Sequence, residues 1–584
     1  MKYSIWVSLL FLICSFSVNA QSISESLIEQ FEKNETVDCI IVMEDQLDLY
    51  GKTKGWSKDR KANYVYSRLK SHALESQKQI KSYLDTKEIS SHAFIVFNGF
   101  QAKLTLIQAN EILDKFDVEK IVYNVPTQML PTKSNLNPSG SRVDAEWGIQ
   151  KIKADSVWQL GYQGEGVVVA GQDTGYDFDN ALILSKYRGY EDSLTIDHNY
   201  NWYDVIDTLS PLHMDTITYP FVNPNPCGFL SDIPCDDHGH GSHTMGTMVG
   251  NDSLNEIGVA PAASWIGCRN MDRGWGKPST YTECFEWFLA PTDLEGQNPD
   301  PNMSPHVINN SWGCPPSEGC NPDSWSFMET VVNNLTAAGT VVVVSAGNDG
   351  SNCSTIRNPA SIFENSFTVG ATRDNDTKAG FSSIGPVLID SSGRMKPDVV
   401  APGVSVKSIW LNDGFNTING TSMAGPHVAG AVALLINAKP SLAGQVDEIK
   451  DLLRSTAVQL IDSTECEGNT ALESPNFYYG YGRIDILAAV KKALEVSDVE
   501  NIDVDNFVKI YPNPNNGEFL ISTNNDEILG DVYIRDISGQ IVQFYPSALN
   551  RKSLTISEIP SGIYIYSVQN ENSILSGKVI VTRQ

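Results

Sequence analysis

The sequence predicts an α/β protein built on a doubly wound parallel sheet, preceded by a small α+β unit of ferredoxin-like topology and followed by a small β-sandwich. Three observations predict it. The runs GVVVAG (166–171) and VVVVSAG (341–347) are almost wholly apolar, as strands buried on both faces of a parallel sheet must be. Helical stretches such as HVAGAVALLINAK (427–439) alternate with them, the order of a βαβ fold. From about residue 507 the chain changes to short strands separated by Asn-Gly and Ser-Gly pairs, which is antiparallel punctuation. A length of 584 residues is too great for one core and implies about three or four domains.

The elements follow in order. Residues 1–20, MKYSIWVSLLFLICSFSVNA, carry Lys2, an apolar run and small residues before Gln21, the pattern of a signal peptide cut after Ala20. A lipid anchor on Cys14 is the competing reading, opposed by Ile13 where a small residue is wanted. Residues 21–141 form the α+β unit and its tether. VDCIIVM reads as a strand, NYVYSRLKSHALESQKQIKSYL as one amphipathic helix, and HAFIVFNGFQAKLTL as two strands about Asn98-Gly99. IQANEILDKF then reads as a helix and EKIVYNV as a last strand, completing a split βαβ order. The tether PTQMLPTKSNLNPSGSR is rich in Pro, Ser and Asn and is an exposed segment of the kind proteases cut. The parallel-sheet domain covers 142–495, and its sites should lie beyond the carboxyl ends of its strands. SDVENIDVDN holds the acidic linker (496–506), and 507–584 is the sandwich, with turns at Asn516-Gly517, Ser538-Gly539 and Ser561-Gly562.

A formal charge of −28 argues against nucleic acid as a partner, because phosphate demands a basic footprint. No run after the signal approaches the roughly 18 apolar residues of a membrane span. Export gives the cysteines a meaning. With Cys14 removed and Cys39 in the early unit, eight remain, an even number that reads as disulfides with 105 connectivities open. Cys227/Cys235 and Cys314/Cys320 are the simplest pairs to imagine; no C-x-x-C pair supports a zinc-thiolate site.

The stretch DDHGHGSHTMGT (236–247) holds three of the nine histidines, His238, His240 and His243. As zinc ligands they lack the H-E-x-x-H spacing and an adjacent glutamate base; a third reading makes them ordinary loop residues. A hydroxyl nucleophile needs a base and a third group to hold that base, so a Ser and an Asp at the edge of the same sheet are the partners to seek. Asp173 ends an apolar strand in GVVVAGQDTGYD, and Ser422 stands where NGTSMAGPHVAG turns from a loop of small residues into a helix. Backbone N–H groups and the helix dipole face such an oxygen. The order is Asp, His, Ser.

At these residues the chain resembles the subtilisin-like serine proteases, or subtilases. NGTSMAGPHVAG and HGSHTMGT are similar to the family's serine and histidine blocks, while VINNSWG, VVVVSAGNDG, GFSSIGP and KPDVVAPGVSV match further motifs. The stretch CFEWFLAPTDLEGQNPDPNMSPHVINNSWG resembles the branch around bacillopeptidase F. The resemblance implies a serine endopeptidase acting on protein or peptide substrates, with Asp173, His240 and Ser422 as catalytic triad and Asn348 in the oxyanion hole. It implies substrate contacts from Ser311, Trp312 and Gly313 and from Ser345, Ala346 and Gly347. It places Asp349 and Arg357 near the floor of the S1 pocket, where an inward Arg357 would favour an acidic P1 residue and an Arg357 paired with Asp349 would not. No cofactor is implied for catalysis. Structural calcium is implied, with VGNDSLNEIGVAP in the place of one such loop and no ligands assignable.

Gln172 stands where the family usually has an aliphatic residue and Thr244 where Val is usual; neither change removes a catalytic group. Asp173 and His240 are far apart for the family, so an insertion carrying Cys227 and Cys235 lies between them and is expected near the cleft rim. The α+β unit resembles the inhibitory propeptide of subtilases, which implies that the chain's own N-terminal unit is a partner, a folding template whose tail lies in the cleft as a product and is cut in the tether at 126–142; a stable accessory domain is the alternative. VKIYPNPNNGEFLIS, IPSGIYIYSV and SGKVIVTR resemble the sorting domain of the type IX secretion system. That implies the secretion machinery as partner and passage across the inner and outer membranes of a Gram-negative cell to a secreted or surface location. A carbohydrate- or partner-binding sandwich is the alternative there. For the whole chain, the competing function is a surface binding or adhesion protein on a retired protease scaffold.

Overall fold

The computed structural model describes residues 22–129, 134–136, 145–192, 194–210, 225–252, 254–313, 322–495, 508–523, 531–536, 540–546, 552–570 and 573–582. The signal segment, the linker at 496–506 and Cys314/Cys320 lie outside them. The chain divides into two compact units, one running to Leu494 and one from Glu495.

The first unit opens with β1 (Ser22–Ile23), α1 (Glu25–Phe31), β2 (Val37–Met43), α2 (Lys58–Ser76), α3 (Lys78–Thr86), β3 (Ser91–Phe94), β4 (Gly99–Leu104), α4 (Leu106–Lys115) and β5 (Val118–Tyr123). The sheet order is β1-β5-β2-β4-β3. The central pairs β2/β4, β2/β5 and β3/β4 are antiparallel, so the ferredoxin-like expectation holds, with β1 and α1 added in front. The helix expected over 63–84 is two helices. They meet at Gln77, whose buried amide donates to Phe94 O at 2.7 Å and Asn98 Oδ1 at 3.0 Å; this tertiary bond fixes the junction. Thr105 and Gln108 form a capping box at α4, satisfying two otherwise orphaned N–H groups.

Two short strands follow, β6 (Thr127–Gln128) and β7 (Ser134–Leu136), then α5 (Trp147–Ile152), α6 (Ala154–Trp158), β8 (Val168–Asp173), β9 (Tyr190–Asp192), β10 (Thr195–Ile196) and β11 (Trp202–Asp204). After α7 (His240–Val249) come β12 (Ser264–Arg269), β13 (Trp275–Gly276), α8 (Pro278–Leu289), β14 (Val307–Asn310), α9 (Trp325–Ala337), β15 (Val341–Ser345), β16 (Phe367–Thr372) and β17 (Val399–Pro402). The hairpin β18 (Val406–Trp410) and β19 (Gly414–Ile418) leads into α10 (Thr421–Ala438), α11 (Val446–Ser455), β20 (Glu465–Cys466), β21 (Asn469–Thr470) and α12 (Ile486–Glu495). Seven strands form one sheet in the order β11-β12-β8-β14-β15-β16-β17, and every pairing in it is parallel. Central strands such as β14, β15 and β16 are buried at every residue, which their continuous apolar runs anticipate. Helix α10 is apolar almost all round and buried except at Asn437, as a helix through the middle of a large core must be.

The α+β part shares a core with the parallel-sheet part. Ile40, Val65, Leu69, Phe94 and Phe97 pack in one cluster with Phe288, Phe327 and Val331, and the Phe97 and Phe327 rings are 4.8 Å apart. Glu286 of α8 accepts hydrogen bonds from Ile95 and Val96 N–H at 2.6 and 2.8 Å. The chain beyond β5 then runs on over the parallel-sheet part. Asn124 Nδ2 donates to Ser279 Oγ, Thr127 Oγ1 lies 2.9 Å from Tyr281 OH, and β6 pairs antiparallel with β13.

Three disulfides are closed among the described residues: Cys227–Cys235, Cys268–Cys284 and Cys353–Cys466. Cys39 is a buried free thiol. The second unit holds β22 (Val508–Tyr511), β23 (Phe519–Thr523), β24 (Asp531–Asp536), β25 (Ile541–Tyr545), β26 (Ser553–Ile556), β27 (Gly562–Asn570) and β28 (Ser573–Val581). They form two sheets, β22-β23-β26 and β25-β24-β27-β28, around a core of Phe519, Ile521, Val532, Ile534, Ile556 and Val579. No described helix is long and apolar enough to cross a membrane.

Candidate active site

Parallel strands end together, so side chains at their carboxyl ends converge. Asp173 is the last residue of β8 and is 1 % exposed. His240 is the first residue of α7, entered through Gly239 in the left-handed region at φ +96°. A Cβ on Gly239 would lie 2.5 Å from the Trp410 ring, so that turn needs glycine for its backbone angle and its packing. The His240 imidazole is fully buried and its Nδ1 lies 2.7 Å from Asp173 Oδ1. A carboxylate only accepts, so Nδ1 carries the proton and donates, leaving the Nε2 lone pair free. Among the described residues Nε2 has no hydrogen-bond partner.

The other two histidines of the block do not share that role. His243 is spent on Val406 O, 3.1 Å from its Nε2, and burial pushes its pKa down to about 3. His238 is lowered too, first by burial and then by the neighbouring His240. Among the described residues no three His, Cys, Asp or Glu side chains form a group suited to a metal ion.

Ser422 sits in the first turn of α10 and is 6 % exposed. Its Oγ donates to Ser311 O at 2.9 Å, and Ser311 Oγ donates back to Ser422 O at 2.8 Å. The hydroxyl is therefore turned to a carbonyl rather than to His240 Nε2. A serine hydroxyl moves between staggered rotamers, and catalytic hydrogen bonds commonly close only when substrate arrives.

Asn348, just beyond β15, accepts from Thr421 N and Thr421 Oγ1, both 3.0 Å from its Oδ1. A backbone N–H can only donate, so the bond fixes which way the amide faces and leaves Nδ2 as the unspent donor. Ser311, Trp312, Gly313, Ser345, Gly347, Asn348, Thr421 and Ser422 line one narrow pocket with Asn358 and Met129. Of the expected substrate-binding residues only Ala346 is missing from its wall; it is fully buried, with its N–H given to Val369 O at 2.9 Å. Trp312 reaches the pocket, but most of its indole is core: it is 2 % exposed and stacks on Tyr281 with ring centroids 3.8 Å apart.

Of the two expectations for Arg357, the inward one is not met, while its charge does act on Asp349. The side chain is exposed and its Nε donates to Ser354 O, and neither it nor Asp349 lines the pocket. The loop 249–261, expected to hold calcium, carries one buried acceptor without a partner among the described residues, Asn251 Oδ1, while other oxygens of the loop are already used. Asp252 Oδ1 accepts the N–H groups of Leu254 and Asn255. The Lys186 ammonium donates to Asn251 O at 2.7 Å, so a cation of the protein already uses that carbonyl.

Sequence reasoning missed one part of the site, Asp236. Its Oδ1 accepts from His238 N, Gly239 N and Thr174 Oγ1, and its Oδ2 from Ser242 N and Ser242 Oγ, at 2.6–2.9 Å. Thr174 Oγ1 accepts in turn from Gly241 N at 3.0 Å. One carboxylate thus ties both flanks of His240 to the residue after Asp173. An Asp four residues before a histidine in a glycine-rich loop is the signal that could have found it. The tail of the N-terminal unit, expected in the cleft, puts Met129 in the lining of the Ser422 pocket. Met129 N donates to Gly274 O at 2.7 Å, and Pro126 enters a second pocket with Val205, Ile206 and Trp275. The described part of the insertion lies beside that pocket, Leu230 N donating to Ile206 O and Trp202 Nε1 to Ser231 O.

Residues 164–482 match the Subtilase family, and residues 509–582 match the Secretion system C-terminal sorting domain. The chain is 35 % identical to bacillopeptidase F of Bacillus subtilis over 504 residues, 80 % of this chain and 32 % of that protein. It is 32 % identical to subtilisin E of Bacillus subtilis over 349 residues, 59 % of this chain and 71 % of that one. With the alkaline protease of Shouchella clausii it shares 27 % over 428 residues, 72 % of this chain and 90 % of that one. The chain thus spans only about a third of the length of bacillopeptidase F.

Proposed function

The chain belongs to the subtilase family, and from that premise we propose that it is a secreted serine endopeptidase made as a zymogen that cuts its own tether. The observation that carries the reading is what the site holds. A strand of the chain itself lies on β13 and brings Met129 into the pocket walled by Ser422, Asn348 and Ser311. The groove accepts extended polypeptide.

In this mechanism Ser422 Oγ turns from Ser311 O to His240 Nε2 and attacks a peptide carbonyl. His240 takes the proton and later gives it to the leaving amine, while Asp173 holds the Nδ1–H tautomer and stabilises the imidazolium. Asn348 Nδ2 and the Ser422 N–H hold the oxyanion, and the amide of Asn348 is preorganised for this by its two bonds from Thr421. Water then releases the acyl group. Hydrolysis by these groups needs no cofactor.

Met129 in the lining of that pocket supports a first cut near it and a long, unbranched apolar P1 side chain. The unit before it acts as inhibitor until released, and the sandwich at 507–584 acts as the type IX export signal, giving a secreted or surface location. The family also implies structural calcium, for which Asn251 Oδ1 is a candidate ligand; a fall in Tm on chelation would show that a metal is bound. The intact Asp173, His240, Asn348 and Ser422 favour the enzyme over a retired binding scaffold.

The test is maturation itself. Full-length protein should shorten to a form beginning at Leu130 or later, and Ser422→Ala should stay uncut while keeping its fold. Processing of the Ser422→Ala chain at the same rate in a protease-free preparation would refute the reading.

A further inference from the structure

Strand β12 ends on a charge inside the core. Arg269 is fully buried, and a buried cation persists only when it is paired. It stands opposite Asp173 in the parallel pairing of β12 with β8. The residue after it ties the two strands once more, Asn270 N donating to Asp173 O at 3.0 Å.

The two ends of the guanidinium serve different loops. Nη2 donates to Asp237 Oδ2 at 2.7 Å, while Nη1 donates to Asp204 Oδ2 at 2.9 Å and to Gly228 O at 3.2 Å. The side chains of Arg269, Asp204 and Asp237 are all closed to solvent. Asp204 is the last residue of β11, and Gly228 lies inside the disulfide-closed loop 227–235. The other oxygens of the carboxylates are taken as well, Asp204 Oδ1 accepting from Ile206 N and Asp237 Oδ1 from Arg273 N, both at 2.9 Å. Burial presses both carboxyl pKa values up, that of Asp237 to about 7, and the charge of Arg269 opposes the rise.

Asp237 stands three residues before His240, in the loop whose other carboxylate, Asp236, holds the N–H groups of His238 and Gly239. A closed circuit results. It runs from Asp173 across the sheet to Arg269, through the guanidinium to Asp237, along the loop to His240, and back to Asp173 through the 2.7 Å contact at Nδ1. Packed strands leave little slack, so a change in one arm of such a ring is felt at the others.

We propose that Arg269 is a positioning residue: by gripping Asp237 it sets the His240 imidazole against Asp173, and the loop 227–235 braces its other end. The proposal rests on the endopeptidase reading and names a further group behind its base. Arg269 touches neither substrate nor reacting atoms. The insertion between Asp173 and His240 then has a second use, because its Gly228 carbonyl helps to hold the guanidinium in place.

The position needs a fork. Lysine keeps the charge but has one donor centre, which cannot serve Asp237 and Asp204 as the two guanidinium nitrogens do. In Asp237→Asn the amide must turn its donor end toward either Arg269 or Arg273 N–H. Removing the guanidinium outright would strand two buried carboxylates and endanger folding, so the test uses Arg269→Lys, Asp237→Asn and their double variant in the full-length chain. The first readout is hydrolysis of a quenched peptide of residues 124–132 by processed protein with its active sites titrated. In either single variant kcat should fall about tenfold or more with KM within about twofold, and the double should fall no more than about threefold further, since both act along one path. The second readout is the downfield proton resonance of His240 Nδ1 in the Ser422→Ala background, which needs no self-cleavage. It should shift or broaden in both variants, and stay at the parent position when Cys353 and Cys466 are changed to Ser, which loosens the fold elsewhere. Should Arg269→Lys fail to fold, Asp237→Asn carries both readouts.

A lower urea midpoint with kcat per titrated site and the Nδ1 proton at parent values would overturn the proposal and leave a core ion pair. A loss confined to KM, or losses that multiply in the double variant, would overturn it too. A parent chain that hydrolyses nothing would overturn the endopeptidase reading, whereas an Nδ1 proton unmoved by the two variants overturns the positioning independently.

Discussion

Replacing Asn348 with alanine removes one amide and very little else. The side chain contributes no core packing, and its Oδ1 partners at Thr421 N and Oγ1 keep access to the pocket. What is lost, on the proposed mechanism, is the Nδ2 donor that would meet the oxyanion. A fixed donor of this kind, in a site closed to water, is worth about 2.7–4 kcal/mol in the transition state, a figure measured on subtilisin, a relative of this chain. At 1.36 kcal/mol per decade, kcat should fall by about 10²–10³. The donor meets charge that exists only in the transition state, so KM should stay within about threefold. Thr421→Val is the graded companion: it removes one of two anchors on Oδ1, a neutral hydrogen bond worth about 1 kcal/mol, and should cost roughly fivefold in kcat. The assay is steady-state hydrolysis of a quenched peptide carrying Met at the cleaved position, with active sites titrated. An unchanged kcat in Asn348→Ala, or a loss confined to KM, would refute the oxyanion assignment.

Three further predictions rest on other parts of the molecule. Asp236→Asn turns one acceptor into a donor facing the N–H groups around His240; kcat should fall at least tenfold with KM within twofold, and equal losses in both would mean that the loop collapses instead of losing alignment. Burial lowers the pKa values of His243, His306 and His427 to about 3, 3 and 4. Unfolded, each takes up a proton below about pH 6.5, so the folded chain binds fewer protons and stability falls as pH drops from 6.5 toward 3–4. Asp237, raised to about 7, and Glu146 and Asp177, raised to about 6, act with the opposite sign over the same window, so the histidine contribution is read as a difference: His306→Gln should make the fall of Tm from pH 6.5 to 4.5 less steep than in the parent, and an unchanged slope would contradict the assignment. Cys353 and Cys466 are 113 residues apart; opening a loop of that size by the double Ser variant should cost roughly 3–5 kcal/mol in urea unfolding, and an unmoved midpoint would deny the pairing.

Much of the site could be read from the sequence because its groups sit at the ends of strands that announce themselves. β8 and β15 are continuous apolar runs, so the residues after them, Asp173 and the segment to Asn348, had to lie at one edge of one sheet. The glycines around His240 and the small residues before Ser422 marked the turns into α7 and α10. What escaped notice depends on contacts between distant residues. The bond from Gln77 to Asn98 divides a helix that periodicity alone makes continuous. Cys353 meets Cys466 only because the fold returns there. Trp312 reads as a cleft residue, yet stacking on Tyr281 commits its indole to the core. The tether, by composition an exposed loop, becomes strand on either side of the nucleophile because β13 and β19 offer it open edges.

The most direct measurement is labelling of the processed protein with a serine-reactive fluorophosphonate, the adduct being located by mass spectrometry. The account predicts a single adduct on Ser422 that is lost in His240→Ala, because the hydroxyl reacts only when that imidazole takes its proton. An adduct on another serine, or no adduct on folded protein free of its N-terminal unit, would contradict it.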